Sequence, residues 1–219
     1  MGNEVNLLKN YPRTKRNTQE RALNKTEQDR TIARMFGRDF FDGDRRHGYG
    51  GLEYNPRFWG KVVPDIVSNY KLARGCSLLD VGCAKGFLLV DLLSQFPDIE
   101  ARGVDISEYA ISMCHPQVQD ILGVACCTQL PFEDKSFDLV ISINTIHNLE
   151  VEGVKQALLE IMRVSKGNAF ITVDAYRNDD EKVAMFDWNL TAKTILHVED
   201  WRALFAEVGY TGDYFWFTP

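Results

Sequence analysis

Ser77-Leu-Leu-Asp-Val-Gly-Cys-Ala-Lys-Gly86 is the stretch from which the fold can be read. Leu78, Leu79 and Val81 form an apolar run that reads as a buried parallel strand. The run breaks at a Gly-rich turn and passes into the helical stretch Phe87 to Phe96, so strand, turn and helix open a nucleotide-binding unit. Gly82 and Gly86 omit side chains where the backbone must turn tightly and a ligand must approach. The helix N-terminus that follows offers free N–H donors. Asp105 ends the next apolar stretch, Ala101 to Val104, where a carboxylate can accept both hydroxyls of a ribose.

The glycine spacing excludes two nucleotide sites. A dinucleotide fingerprint needs G-x-G-x-x-G, but here Ala84 stands between Gly82 and Gly86. A phosphate loop needs Gly-Lys-Ser/Thr, and Lys85 precedes Gly86.

Asp80-Val-Gly-Cys-Ala-Lys-Gly86 resembles the first motif of the class I S-adenosylmethionine-dependent methyltransferases, an acidic residue, an apolar one, then G-x-G-x-G. The resemblance continues through Asp105-Ile-Ser, through Leu130-Pro-Phe before Ser136-Phe-Asp-Leu-Val140, and to Ile141-Ser-Ile-Asn-Thr-Ile-His147, covering roughly Leu72 to Tyr210. It implies an α/β fold, a Rossmann-like doubly wound and mostly parallel sheet, with S-adenosylmethionine as cofactor. An S-adenosylmethionine-binding domain over 72–219 would then carry an N-terminal extension of helices and loop over 1–71.

Composition is that of an ordinary globular protein, 45% hydrophobic and 26% charged over 219 residues. No run approaches a membrane span, and the polar start lacks the apolar core of a leader, so a cytoplasmic location is expected. Five cysteines, with no C-x-x-C, are expected as reduced thiols. Residues 1–47 hold 11 Lys and Arg against 7 Asp and Glu, a surplus of 4 that leaves the rest at −10 within a total of −6. The acidic body argues against a nucleic-acid partner, and the basic arm reads as solvated or as meeting an anionic substrate group.

Along the chain, Asn17 to Met35 reads as a helix of weak amphipathicity. Phe36 to Tyr54 packs five glycines and five aromatics into nineteen residues and reads as a loop, either a lid or substrate pocket or an aromatic-anchored connector. Its Arg46, Tyr49 and Tyr54, with Tyr176 beyond the fifth strand, are the candidate substrate contacts. Asn55-Pro56 opens a helix to about Tyr70. Gly123 to Cys126, Phe137 to Ile143 and Ala169 to Val173 read as strands three to five, Glu150 to Val164 and Val198 to Val208 as helices. Tyr210 to Phe217 reads as a last strand. The family resemblance implies two antiparallel strands there, so the sheet looks one short, with an open edge for a partner or an insertion, such as a second copy in a homodimer.

The resemblance assigns the methionine end of the cofactor to Asp80, Gly82, Cys83, Ala84 and Gly86, the ribose to Asp105, and an adenine face to Ile106. Where many relatives place an Asp for the adenine amino group this chain has Cys126, so backbone groups of Cys127 and Thr128 are the replacement contacts. Asn144 would lie near the sulfonium. Methyl transfer to a hydroxyl needs a base, and histidine suits neutral pH. His147 beyond the fourth strand is the first candidate, His47 the second, with Asp174 and Tyr176 behind them. His115 and His197 read as structural, Lys85 as a solvated loop lysine, and Asp42 with Asp44 as too little for a metal site.

The expectation is methyl transfer to a small polar acceptor, most simply an oxygen. FFDGDRRHGYGGLEYNPRFW, INTIHNLE and FITVDAYRND together resemble bacterial capsule and lipopolysaccharide sugar methyltransferases, which implies a sugar, nucleotide-sugar or phosphorylated acceptor. Two alternatives stay open: N-methylation of a small amine, and a non-catalytic cofactor-binding partner subunit, for which Ala84 and Cys126 would be signs of decay.

Overall fold

The structure, a computed structural model, describes residues 2–12 and 25–218. Its sheet contains β1 (Ser77–Val81), β2 (Glu100–Asp105), β3 (Leu122–Val124), β4 (Phe137–Ile143), β5 (Ser165–Tyr176), β6 (Leu196–His197) and β7 (Asp213–Phe217). The order runs β3-β2-β1-β4-β5, and every pairing is parallel. β5 then pairs with β7 over Phe170–Asp174 and with the short β6 at Ala175–Tyr176. The order reverses between β1 and β4, which opens a crevice at their carboxyl ends.

Both faces of the sheet are covered, as its continuous apolar strands require. Leu79, Val81, Val140, Ile171 and Val173 join one core with the helices Val151–Val164 and Val198–Val208. Their neighbours Leu78, Leu139, Ile141 and Phe170 point the other way, into a core with Val62, Val63, Ile66, Leu88, Leu89 and Leu92. Leu7 joins this second core, which fixes the first residues of the chain to the body.

That attachment closes the edge expected to be open. β7 lies parallel to β5, not antiparallel, and its far side is met by the chain's own start. Tyr214 N–H donates to the Asn3 carbonyl at 3.0 Å and Val5 N–H to the Tyr214 carbonyl at 2.9 Å. The edge therefore gives no ground for a second copy.

Three other readings change. The helix expected over 17–35 is described only from Glu27 to Ala33, opened by a Thr26 capping box, and residues 17–24 lie outside the described residues. The helix expected from Pro56 begins at Val63, because Pro64 has no N–H to continue the ladder; residues 56–62 form successive turns instead. Residues 36–54 are not wholly loop, since Arg38–Phe41 makes one helical turn. Among the described residues no helix is long and apolar enough to cross a membrane.

Candidate active site

The turn after β1 is shaped by three left-handed residues. Gly82 has φ 86°, and a methyl group there would lie 2.1 Å from Thr145 Oγ1, so only glycine fits. Gly86, at φ 78°, caps the helix Phe87–Gln95, with Val118 and Leu122 2.8 Å from where its side chain would start. Ala84 holds φ 50° between them. Alanine thus keeps the left-handed geometry in place of the family's central glycine, at the cost of some strain. Its N–H donates to Asp105 Oδ2 at 2.8 Å, so the turn and the end of β2 are tied together.

Asp105 also accepts Ser107 N–H at 2.9 Å on its other oxygen. Burial raises its pKa while these backbone donors oppose the rise. Asp80, on β1 before the turn, is buried and has no hydrogen-bond partner among the described residues. Burial first, then the charge of Asp105, pushes it up to about 7. An unpartnered buried carboxyl is the group that a cationic ligand end would satisfy. Cys83 is buried, and its thiol is raised by burial.

A cavity of about 920 Å³ runs from this turn to the far side of the crevice. Gly82, Ala84, Asp105, Ile106, Cys127 and Asn144 line it, as do His147, Asp174 and Tyr49. Asp80, Cys83, Gly86 and Thr128 do not; the Thr128 hydroxyl instead meets Cys126 Sγ at 3.0 Å. Burial lifts the Cys127 thiol to about 12, so it stays protonated. The donor set fits S-adenosylmethionine. Asp105 would take the ribose, exposed Ile106 the adenine face, and the Gly82–Ala84 turn the methionine end, with Asp80 buried behind that turn on β1.

Asn144 ends β4 in the left-handed region at φ 53°, rare for a residue with a side chain and concentrated at functional sites. Thr172 holds it there: Asn144 N–H donates to Thr172 Oγ1 at 2.9 Å, and that hydroxyl donates to Asn144 Oδ1 at 2.7 Å.

His147 is buried, and its Nδ1 accepts the Asp174 N–H at 2.8 Å. The lone pair of that nitrogen is used, and in the neutral ring the proton sits on Nε2. Burial lowers the His147 pKa despite the nearby Asp174 carboxylate, whose Oδ1 lies 3.4 Å from Nδ1. The geometry makes the ring a donor, in conflict with its expected role as base. The Asp174 carboxyl, raised by burial, is not engaged by any backbone N–H.

His47 lies apart from this cavity. Its Nε2 pairs with Asp29 Oδ1 at 3.0 Å, and with Arg46 it lines a separate hollow beside the helix Glu27–Ala33. Arg46 is turned to Asp44. Tyr54 packs on Phe87 and His115 and donates to Asp91 Oδ1 at 2.8 Å, while Tyr176 stacks edge-on to His197. Of the four expected substrate contacts only Tyr49 reaches the cavity. His115 and His197 cap helices through Nδ1.

Lys85 is no solvated lysine. It is buried, with both carboxylate oxygens of Asp42 around its ammonium. The pair brings Phe36, Phe40, Phe41 and Tyr49 over the cavity as a fixed wall. Residues that sequence reasoning missed complete the far end: Arg34, Asn148, Trp188, Thr191 and Lys193. Arg34 caps the helix Glu27–Ala33, Asn148 ends the short turn after β4, and Trp188, Thr191 and Lys193 come from the end of the helix Asp179–Trp188 and the segment after it. Among the described residues no cluster of three His, Cys, Asp or Glu could hold a metal.

Comparison with known proteins agrees with this geometry. Residues 79–173 match the family model described as a methyltransferase domain. A tRNA (carboxymethyluridine(34)-5-O)-methyltransferase of Arabidopsis thaliana is 32% identical over 146 residues, 65% of this chain and 33% of that protein. An uncharacterized protein of Haemophilus influenzae is 30% identical over 165 residues, 69% of this chain and 65% of that protein. The chain thus spans a third of the first relative and just under two thirds of the second. The solved structure of YcgJ from Bacillus subtilis shares the fold, with a TM-score of 0.55 at 20% identity over 67% of this chain and 66% of that one. With the acidic Gly-rich turn, the carboxylate at the end of β2 and the parallel sheet in place, residues 79–173 carry a methyltransferase domain of the class I S-adenosylmethionine-dependent fold.

Proposed function

We propose that this chain methylates a small polar acceptor at oxygen, with a sugar, nucleotide sugar or surface-polysaccharide precursor as the acceptor class. The observation that carries the reading is the continuity of one cavity from Gly82 and Asp105 to Asp174 and Asn148. A cofactor bound at the first end would share one continuous cleft with a second molecule at the other. Aromatic walls from Tyr49, Phe40 and Trp188 suit the apolar face of a sugar ring, and Thr31, Asn148 and Thr191 offer hydrogen bonds to its hydroxyls. Oxygen is also the accepting atom in the name of the Arabidopsis relative.

When bound, the cofactor supplies a methyl group on a sulfonium, which the acceptor oxygen displaces in line, forming C–O as C–S breaks with its electron pair left on sulfur. The chain's part is to orient the two molecules, to exclude water and to receive the hydroxyl proton. We assign the proton to Asp174, whose carboxyl is free of backbone donors and whose proton affinity burial raises. His147 positions it through the bond from Asp174 N–H to Nδ1.

The test is incubation of purified protein with methyl-labelled cofactor and a panel of sugars, nucleotide sugars and small amines. Label on a hydroxyl compound supports the reading. Label on amines alone replaces it with N-methylation, and binding of S-adenosylhomocysteine without transfer to any acceptor favours the partner-subunit alternative.

A further inference from the structure

The acceptor end of the cavity carries two cations that the methyl-transfer reading does not use. Arg34 closes the helix Glu27–Ala33, and its Nε reaches the Thr191 carbonyl at 3.4 Å. Lys193 lies two residues beyond Thr191, and its backbone N–H donates to the His147 carbonyl at 3.0 Å. Both residues line the cavity, Arg34 tied to the Thr191 carbonyl and Lys193 to the His147 carbonyl.

Their own partners hold them weakly. Arg34 Nη1 meets Glu27 Oε1 at 3.3 Å and Lys193 Nζ meets Glu150 Oε1 at 3.6 Å, but those glutamates are 76% and 75% exposed. Solvent screens such pairs strongly. Of the carboxylates of the cavity, Asp105 already accepts two backbone donors, and burial disfavours the charged form of Asp174. In a chain of net charge −6, two cations at one end of the cavity form a local field that favours an anion.

A second observation points to a ligand at the same wall. Asn148 Oδ1 is buried and without a hydrogen-bond partner, and Asn148 lines the cavity. Buried carbonyl oxygens rarely go unpaired, so this one is matched by a donor that the chain does not supply.

We propose that the acceptor is an anionic hydroxyl compound whose phosphate or carboxylate is held by Arg34 and Lys193, while Asn148 Oδ1 accepts from one of its hydroxyls. The proposal rests on the methyltransferase reading and narrows its substrate class. The acid group orients the molecule; the hydroxyl near Asp174 is the one methylated.

The test is titration of protein saturated with S-adenosylhomocysteine, followed by the fluorescence of the cavity tryptophans Trp59 and Trp188. The probes are inorganic phosphate and two matched pairs, glucose 6-phosphate against glucose and glucuronate against methyl glucoside. The expected result is that an anionic member binds about tenfold or more tightly than its neutral partner. Arg34→Gln and Lys193→Gln should each erase most of that preference while S-adenosylhomocysteine affinity stays within about twofold. Preference for phosphate over glucuronate identifies a phosphorylated acceptor, and the reverse a uronic acid. Neutral probes binding as well as anionic ones, a preference that survives both substitutions, or silence from every probe overturns the anion subsite and leaves the cofactor reading standing. Failure to bind S-adenosylhomocysteine would instead remove the methyltransferase reading itself.

Discussion

Lys85 Nζ lies 2.8 and 2.7 Å from the two carboxylate oxygens of Asp42, and the same ammonium donates to the Leu52 carbonyl at 2.9 Å. The lysine belongs to the cofactor turn and the aspartate to the Gly- and aromatic-rich segment, so one ion pair joins the two walls of the cavity. Asp42 accepts further from Tyr109 Oη at 2.7 Å and Leu52 N–H at 3.0 Å. These donors and Lys85 hold its carboxyl below the usual carboxylate range, although its largest single influence, burial, acts the other way.

Asp42→Ala should therefore cost far more than a surface ion pair would. It leaves a buried ammonium without its counter-ion, a defect worth about 3–5 kcal/mol. Urea unfolding of the variant should show a loss of this order, and Lys85→Met in the same background should recover part of it. Additive losses in the double variant would mean that the two residues do not act as a pair.

Ala84→Gly should go the other way. The residue sits at φ 50°, which alanine adopts with strain and glycine without. Relief of strain outweighs the added freedom of the unfolded chain where φ is positive, so a gain of about 0.5–1 kcal/mol is expected. Unfolding midpoints check it. A loss of stability would show that the methyl group packs usefully, and the strain argument would fail.

Much of the cofactor end was legible because its signals are local. Gly82 and Gly86 are fixed by backbone geometry within one strand-turn-helix unit, Asp105 ends the strand that follows it, and apolar runs mark β1, β4 and the helix Val198–Val208. The far end of the cavity was not legible. Arg34 and Lys193 are far apart in sequence and line one cavity because the helix Glu27–Ala33 docks on the carbonyls of Asn189 and Thr191, through Arg30 at 3.2 Å and Arg34 at 3.4 Å. Lys85 read as solvated because its partner lies 43 residues upstream. The edge of β7 was misjudged for the same reason: Asn3 and Tyr214 pair across nearly the whole chain.

The pH dependence of cofactor binding should report Asp80. Its carboxyl, near 3.9 when unfolded, is pushed up to about 7 by burial and by Asp105. A raised acid stabilises the ligand-free fold at low pH, and that contribution is lost as pH rises from about 4 through 7. Binding of a cationic methionine end needs the ionised form, so affinity for S-adenosylhomocysteine should strengthen from pH 6 to 8 with release of a proton. Calorimetry in buffers of different ionisation enthalpy measures that proton. Asp80→Asn should abolish both the release and the slope; a slope that persists in the variant assigns it to another group.

Asp174 and His147 separate chemistry from positioning. If Asp174 takes the acceptor proton, Asp174→Asn should lower turnover by about 10²–10⁴-fold while S-adenosylhomocysteine binding changes little. Only the ionised carboxyl can act, and burial raises its pKa, so the acid limb of the rate profile should fall above the usual carboxylate range. Burial lowers the His147 pKa below its ordinary value, so the imidazole should add no limb near pH 6.5. Its Nδ1 serves the Asp174 N–H, a role that an amide oxygen can fill, so His147→Asn should retain more activity than His147→Leu. Equal loss in both variants, with a new limb near pH 6.5, would return the base role to the imidazole. Full turnover in Asp174→Asn would mean that the acceptor reaches the site already ionised and needs no base from the chain.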